Sequence, residues 1–455
     1  MASFIFDIGK TNIKAYVLDE SGNELWSRAN ENTSNDNPPY LHIDVENIWQ
    51  WLLQSLTLAG KEFTIDAINI STHGACAVLI DSQRELALPV IDYEAEALNE
   101  NVDEYLAIRP GFKHTLSPNL PSGLNLGRQL WWLKANYPQQ FKQASTILMY
   151  PQYWAWKLSS IAATERTSLG CHTDLWQPQQ DTYSSLVDAL EIKALFPKLV
   201  DNYQPLGTVT EEISQLTGLP ANCLVFPGVH DSNASLASHL FGRADRALTA
   251  VSSGTWIITL STQAKLDNLN EQQDMLANVA VTAKPVACAR FMGGREFDHI
   301  CKVTQTDISK PLDVKDLQTA INSQQMVLPG FVPGCGPLPN RTGEIPQSAE
   351  CGKALATLYT ALMIDYELDL LAAQGDIYFG STGHKNRLLC EVLAQLRPKE
   401  SMFIANKASG TVHGCWALTR WDKPVIAEGD YDAVVPAKLT GLDTYKARWR
   451  ETLNI

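Results

Sequence analysis

Two stretches about half a chain apart repeat one pattern: an apolar strand, a small polar turn carrying Gly and Thr, and a second apolar strand. In the first, residues 4–6 and 13–18 flank the turn 7–11. In the second, residues 250–251 and 256–260 flank Ser252-Ser253-Gly254-Thr255. Ser21-Gly22-Asn23 then turns the first copy into a third short strand near Leu25, which makes an antiparallel meander, not a strand feeding directly into a helix. A chain of 455 residues is too long for one ordinary core. The repeat therefore predicts two domains, 1–242 and 243–455, each opening with the same hairpin.

The rest of the chain alternates strand and helix signals, which predicts α/β layers. Residues 44–59 read as a helix with Val45, Ile48, Trp49, Leu52, Leu53 and Leu56 on one face and Asp44 as its cap. A strand at 65–70 runs into Ser71-Thr72-His73-Gly74. A helix ends at Gly218, and a short strand at 224–226 leads into Pro227-Gly228-Val229-His230-Asp231. Small residues at Ala234, Ser235, Ala237 and Ser238 mark the next helix as one that packs closely on a neighbour. Further on come a long helix at 354–373, a strand at 376–379, a loop Gly380-Ser381-Thr382-Gly383 and a helix at 386–396.

Composition narrows the partners. The net charge of −14, from 36 basic and 50 acidic residues, disfavours nucleic acid or an anionic membrane as a partner. No window is apolar enough to span a bilayer, and the N-terminal MASFIFDIGKTNIK lacks a basic leader region, so the cytoplasm is the default compartment. Nine scattered cysteines without CxxC spacing read as reduced, buried thiols.

Several segments can carry chemistry. Gly9 in a hairpin turn lets backbone N–H groups approach a phosphate, Lys10 and Thr11 add donors, Asn12 closes the turn, and Asp7 before it can hold Mg²⁺ through waters. An ordinary polar turn accounts for the same residues equally well. The turn at Gly254 and Thr255 follows the same logic. Asp231, after a strand and at a helix start, suits a base that takes a proton from an attacking hydroxyl, though Asp is also a common N-cap. Gly380 and Gly383 can pass close to a nucleobase with Asn386 at its edge, and His73-Gly74 ends a strand where a sugar hydroxyl can be reached.

Together these segments resemble the FGGY family of carbohydrate kinases. Leu206-Gly207-Thr208-Val209, Leu216-Thr217-Gly218-Leu219-Pro220 and Val225-Phe226-Pro227-Gly228-Val229-His230-Asp231-Ser232-Asn233-Ala234-Ser235 are similar to its longest signature. Asp7–Asn12, Ser253-Gly254-Thr255-Trp256 and Gly383-His384-Lys385-Asn386 are similar to its phosphate and adenosine motifs. The resemblance implies a two-domain actin/hexokinase/Hsp70-like (ribonuclease H-like) α/β fold with ATP in the interdomain cleft and Asp231 as catalytic base. It further implies ATP and Mg²⁺ as cofactors and a ketose like rhamnulose, fuculose or xylulose as acceptor. Within the family the rhamnulose kinase branch is the most similar, which puts His230, Asp231 and Ser232 at the ketose. Ile91-Asp92-Tyr93-Glu94 has no Arg where the family carries Asp-Arg, so sugar recognition here departs from that pattern. The expected partners are a small sugar and ATP, with a homodimer left open. Two alternatives remain: a kinase of a polyol or sugar acid, and a sugar-binding regulator with a degenerate ATP site.

Overall fold

Alternate residues of the first strand face two different cores. In the computed structural model, which describes residues 2–346, 351–407, 409–425 and 429–455, β1 (Ala2–Ile8) buries Phe4 and Phe6 on one side and Ile5 on the other. Period-two alternation puts successive side chains on opposite faces, and a strand covered on both faces is apolar throughout. Phe4 and Phe6 meet Ile48, Trp49, Leu52 and Leu56 of the helix Val45–Glu62, and Phe6 stacks on Trp51 with ring centroids 5.7 Å apart. Asp44 caps that helix by accepting from Asn47 N, as its position in the sequence predicts.

The chain divides into two compact units. The first comprises Met1–Ala244, Ala277–Pro285 and Ser409–Ala427; the second comprises Asp245–Leu276, Val286–Ala408 and Glu428–Ile455. The main break thus lies beside the 242/243 division, but two later segments return to the first unit. The larger return has a packing reason. The helix Gly410–Leu418 lies on the helix Asp231–Leu240 so closely that a Cβ on Gly414 would come within 1.7 Å of Ala234 O. Here is the neighbour that the small residues at 234–238 require.

In the first unit, β1 pairs antiparallel with β2 (Asn12–Leu18), and β2 with β3 (Glu24–Glu31). On its other side β1 runs parallel to β4 (Ile65–Thr72). β5 (Gly207–Thr208) pairs antiparallel with β6 (Leu224–Val225), while β6 and β7 (Val229–His230) both run parallel to β4. The second unit repeats this order. β8 (Leu248–Ser253) pairs antiparallel with β9 (Ile257–Thr262), and β9 with β10 (Pro285–Phe291). β8 then runs parallel to β11 (Asp376–Phe379), and β11 to β12 (Met402–Ala405). The short hairpin repeat read from sequence is therefore the start of a repeated sheet topology.

The helix Gly352–Leu370 differs from its sequence reading. One apolar stripe is expected, with Leu355, Leu358, Tyr359, Leu362 and Tyr366. In fact residues all round it are buried, because the sheet covers one side and neighbouring helices cover the other. No helix among the described residues is long and apolar enough to cross a membrane. All nine cysteines are free thiols, and seven are buried.

Candidate active site

Three strand ends of the first unit converge. Asp7 lies one residue from the end of β1, opposite Ser71 of β4, while Val229 and His230 of β7 pair with Ser71 and Thr72. The chain leaves β7 directly into the helix Asp231–Leu240. His230, not Asp231, occupies the cap position, so the carboxylate of Asp231 does not close the helix end. Its Oδ1 instead accepts from Ser232 N at 2.5 Å and Ser232 Oγ at 3.2 Å, and stands 3.2 Å from His230 Nε2. The side chain keeps 39% of its surface exposed. Asn233 Nδ2, 3.2 Å away, assigns Nδ1 of His230 as an acceptor, which leaves the proton on Nε2 facing Asp231.

Asp7 is the second acid of this corner. Burial, and then the charge of Asp231, push its carboxyl up to about 6; Lys14 across the ladder offsets part of this. No hydrogen bond from the described residues reaches its carboxylate. A half-buried acid held beside another acid, with no hydrogen-bond donor among the described residues, fits a divalent cation. Replacing Asp7 by Asn is expected to raise the melting temperature at pH 7 in EDTA. A carboxyl that protonates near 6 when folded and near 3.8 when unfolded costs native stability as pH rises through that window. The gain of the variant should therefore be absent below about pH 4 and complete above about pH 6. Added Mg²⁺ should raise the melting temperature of the wild type alone. A variant that melts below wild type at pH 7 in EDTA would contradict this account.

The turn after Asp7 is tight: Gly9 N donates to Asn12 O at 2.9 Å, and Asn32 Nδ2 to Gly9 O at 2.8 Å. Thr11 and Asn12 are exposed at its tip. The ammonium of Lys10 is directed differently from the sequence reading. It pairs with Asp92, lies 3.3 Å from both Ser34 Oγ and Glu94 Oε2, and sits over the ring of Tyr93. Burial alone would raise the Asp92 carboxyl, but bonds from Lys10, Ser34 and the Glu94 backbone hold it below the usual range. The chain thus brings a cation from another element to the segment that has no Arg of its own.

His73 N donates to Ile8 O, and its Nδ1 pairs with Gly74 O at 2.8 Å. Its ring lies between Tyr93 and Tyr150, and burial lowers its pKa, which keeps it neutral at pH 7. Gly74 gives the imidazole of His230 room, because a Cβ there would meet Nε2 at 3.1 Å. The geometry thus gathers Asp7, His73, Gly74, His230, Asp231 and Ser232 around the ends of β1, β4 and β7.

The second unit holds a cavity of about 550 Å³, a size suited to a small organic ligand. Gly254 and Thr255 line it from the hairpin turn, together with Thr382, whose Oγ1 lies 2.7 Å from Ser253 Oγ, and with Lys385 and Asn386. Asn386 also caps the helix Arg387–Leu396 by accepting from Leu389 N. Gly380 and Gly383 are not in the lining; Gly383 is buried behind it, against Phe379 and Ile404. Sequence reasoning missed Gly293, Gly294, Arg295, Asp298 and Lys353, which also line it. A signal was present: two glycines stand between an apolar strand and a helix. A Cβ on Gly294 would lie 2.0 Å from Gly254 O, so only Gly lets that helix start against the hairpin turn.

Residues 2–238 match the N-terminal domain of the FGGY family of carbohydrate kinases, and residues 245–427 match the C-terminal domain of carbohydrate kinase FGGY. An L-fuculokinase of Salmonella typhi is 29% identical over 281 residues, covering 58% of this chain and 57% of that protein. The chain therefore matches little more than half the length of that curated relative. A carbohydrate kinase from Novosphingobium aromaticivorans is 33% identical in sequence, with a TM-score of 0.90 over 99% of both chains. A xylulose kinase from Rhodospirillum rubrum, 17% identical, shares the fold with a TM-score of 0.80 over 100% of this chain and 99% of its own. The fold is the two-domain α/β architecture of the actin/hexokinase type, and the chain belongs to the FGGY family of carbohydrate kinases.

Proposed function

We propose that this protein transfers the γ-phosphate of ATP to a hydroxyl of a ketose of the rhamnulose, fuculose or xylulose kind, with Asp231 as general base. The observation that carries this reading is the state of Asp231. It is a partly exposed carboxylate at a strand end, oriented by a backbone N–H and a neighbouring imidazole, and it is not used as a helix cap. Phosphoryl transfer asks little else of a side chain than to position the hydroxyl and accept its proton. Asp7 would hold Mg²⁺, which when bound neutralises phosphate charge. Thr11 and Asn12, exposed at the tip of the turn that Gly9 tightens, suit phosphate oxygens, and the cavity beside Gly254, Thr255 and Asn386 suits the nucleoside. His73, His230 and Ser232 would contact the sugar, next to a main chain kept open by Gly74.

A coupled assay of ADP release over ketoses, polyols and sugar acids tests the proposal, with fuculose-like ketoses first because of the likeness to an L-fuculokinase. A phosphorylated ketose is the expected product. ADP release that no acceptor stimulates would overturn the reading, and a clear preference for a polyol or sugar acid would move the substrate class.

Lys10 sharpens the sugar side. Because its ammonium pairs with Asp92 and Glu94, Lys10→Met is expected to raise KM for the sugar about tenfold, equivalent to about 1.4 kcal/mol, and leave KM for ATP within about twofold. The opposite split would return that ammonium to the phosphates.

A further inference from the structure

Beside Asp231, the first unit gathers three donors that phosphoryl transfer does not need as a set. Cys171 Sγ lies 3.4 Å from His230 Nε2, and these atoms and a ring nitrogen of His172 all fall within 4.8 Å of one another. The geometry points to a site for a soft divalent transition ion, Zn²⁺ first, held by Cys171, His172 and His230, whose occupation blocks the sugar face of the enzyme.

The donor set is the first reason. One thiolate and two imidazoles select zinc over magnesium, which prefers oxygen ligands. Bond lengths of about 2.0–2.3 Å place tetrahedral ligands roughly 3.3–3.8 Å apart. The Cys171–His230 pair already has that spacing, and His172 has only a short distance to close. Three protein ligands leave a fourth position for water or an anion, and Asp231 Oδ1 stands 3.2 Å from His230 Nε2.

The surroundings are the second reason. His172 holds a left-handed backbone with φ +40°, unusual for a residue with a side chain, and its Nδ1 pairs with Leu124 O at 2.7 Å. A backbone carbonyl on Nδ1 is the usual way a ligating imidazole is oriented with Nε2 outward. Gly74 keeps the space before both rings open, since a Cβ there would stand 3.8 Å from His172 Cε1 and 3.1 Å from His230 Nε2. Oδ1 of the buried Asn233 has no hydrogen-bond partner. Turning that amide over, which gives up the present Nδ2 contact with His230 Nδ1 and the 3.4 Å bond to Thr167 O, would let Oδ1 accept from Nδ1–H of His230, the tautomer in which Nε2 can bind a metal. Binding would release the thiol proton of Cys171 to solvent. The partly exposed His172 and Asp231 open the cluster to solvent.

Metal binding is read without substrate, so this site and the kinase reading fail separately. Only the predicted block of sugar phosphorylation, competitive with the sugar, rests on that reading. The full chain would be titrated with Co²⁺ and then Zn²⁺ in the presence of a reductant. Cys171→Ser and His172→Gln would be compared after circular dichroism shows both folded. We expect one equivalent of Co²⁺ giving a thiolate charge-transfer band and four-coordinate ligand-field bands, all displaced by Zn²⁺. The band should vanish in Cys171→Ser, and affinity should fall at least about tenfold in both variants, the loss expected when a ligand or its support is removed. Absence of a thiolate band in the wild type, or Zn²⁺ affinity equal in all three proteins, would overturn the assignment.

Discussion

Asp231→Asn is expected to lower kcat by about 10²–10⁴-fold on the best sugar and leave KM for ATP nearly unchanged. The substitution preserves shape. Asn keeps an oxygen that can accept from Ser232 N, and His230 holds the N-cap position of the helix Asp231–Leu240, so the helix loses only a first-turn charge–dipole contribution of about 0.3–1 kcal/mol. The lost property is the ability to take a proton from the attacking hydroxyl as the bond to phosphorus forms. The melting temperature should therefore stay close to wild type, which separates a chemical loss from a folding one. Turnover within about threefold of wild type would remove Asp231 from the role of base.

The largest stability effect is expected in the second unit. Asp365, fully buried on the helix Gly352–Leu370, has Lys446 Nζ at 2.7 Å, Arg450 Nη2 at 2.6 Å and Arg397 Nε at 2.9 Å. Two of these cations come from the helix Leu442–Leu453, whose Trp449 and Leu453 are buried in the core of the second unit. Taking one charge from a buried cluster strands its partners, at a cost of about 3–5 kcal/mol. Asp365→Asn should fall at the lower end, about 3 kcal/mol, because the cations keep some solvent and two of them also reach Asp369. A two-unit chain need not melt in one step. The measurement is therefore hydrogen exchange over 442–453, together with the first unfolding transition. Asp369→Asn, at a half-exposed position in the same cluster, should cost only about 1 kcal/mol. Equal effects of the two substitutions would refute the assigned importance of Asp365.

How much of this was legible in the sequence depends on the range of the interaction involved. The hairpin β1–β2, the cap at Asp44, the turn at Gly254 and the strand end before Asp231 all rest on neighbours a few residues apart. Turn chemistry and apolar period suffice to read them. Gly293 and Gly294 were missed because two glycines before a helix are common, and what makes these matter is the approach of Ile257 to the first and of Gly254 O to the second, both from much earlier in the chain. Cys171 and His172 gave no motif, since their partner His230 lies far along the sequence. Lys10 was read with the turn that carries it, although its side chain reaches to Asp92.

The opening repeat shows the same division. By itself the sequence determined that two strand–turn–strand units begin two α/β domains, because period-two alternation and Gly-containing turns are local properties of the backbone. It also determined that the helix after Asp231 needs a close neighbour, because small side chains cannot fill space alone. Only the tertiary structure decided that this neighbour is the helix Gly410–Leu418, which returns from the far end of the chain to the first unit. Only the tertiary structure, too, placed Asp7, His73 and Asp231 at neighbouring strand ends. Both outcomes depend on contacts between residues far apart in the chain, which are set by shape and burial and leave no periodic trace in the sequence.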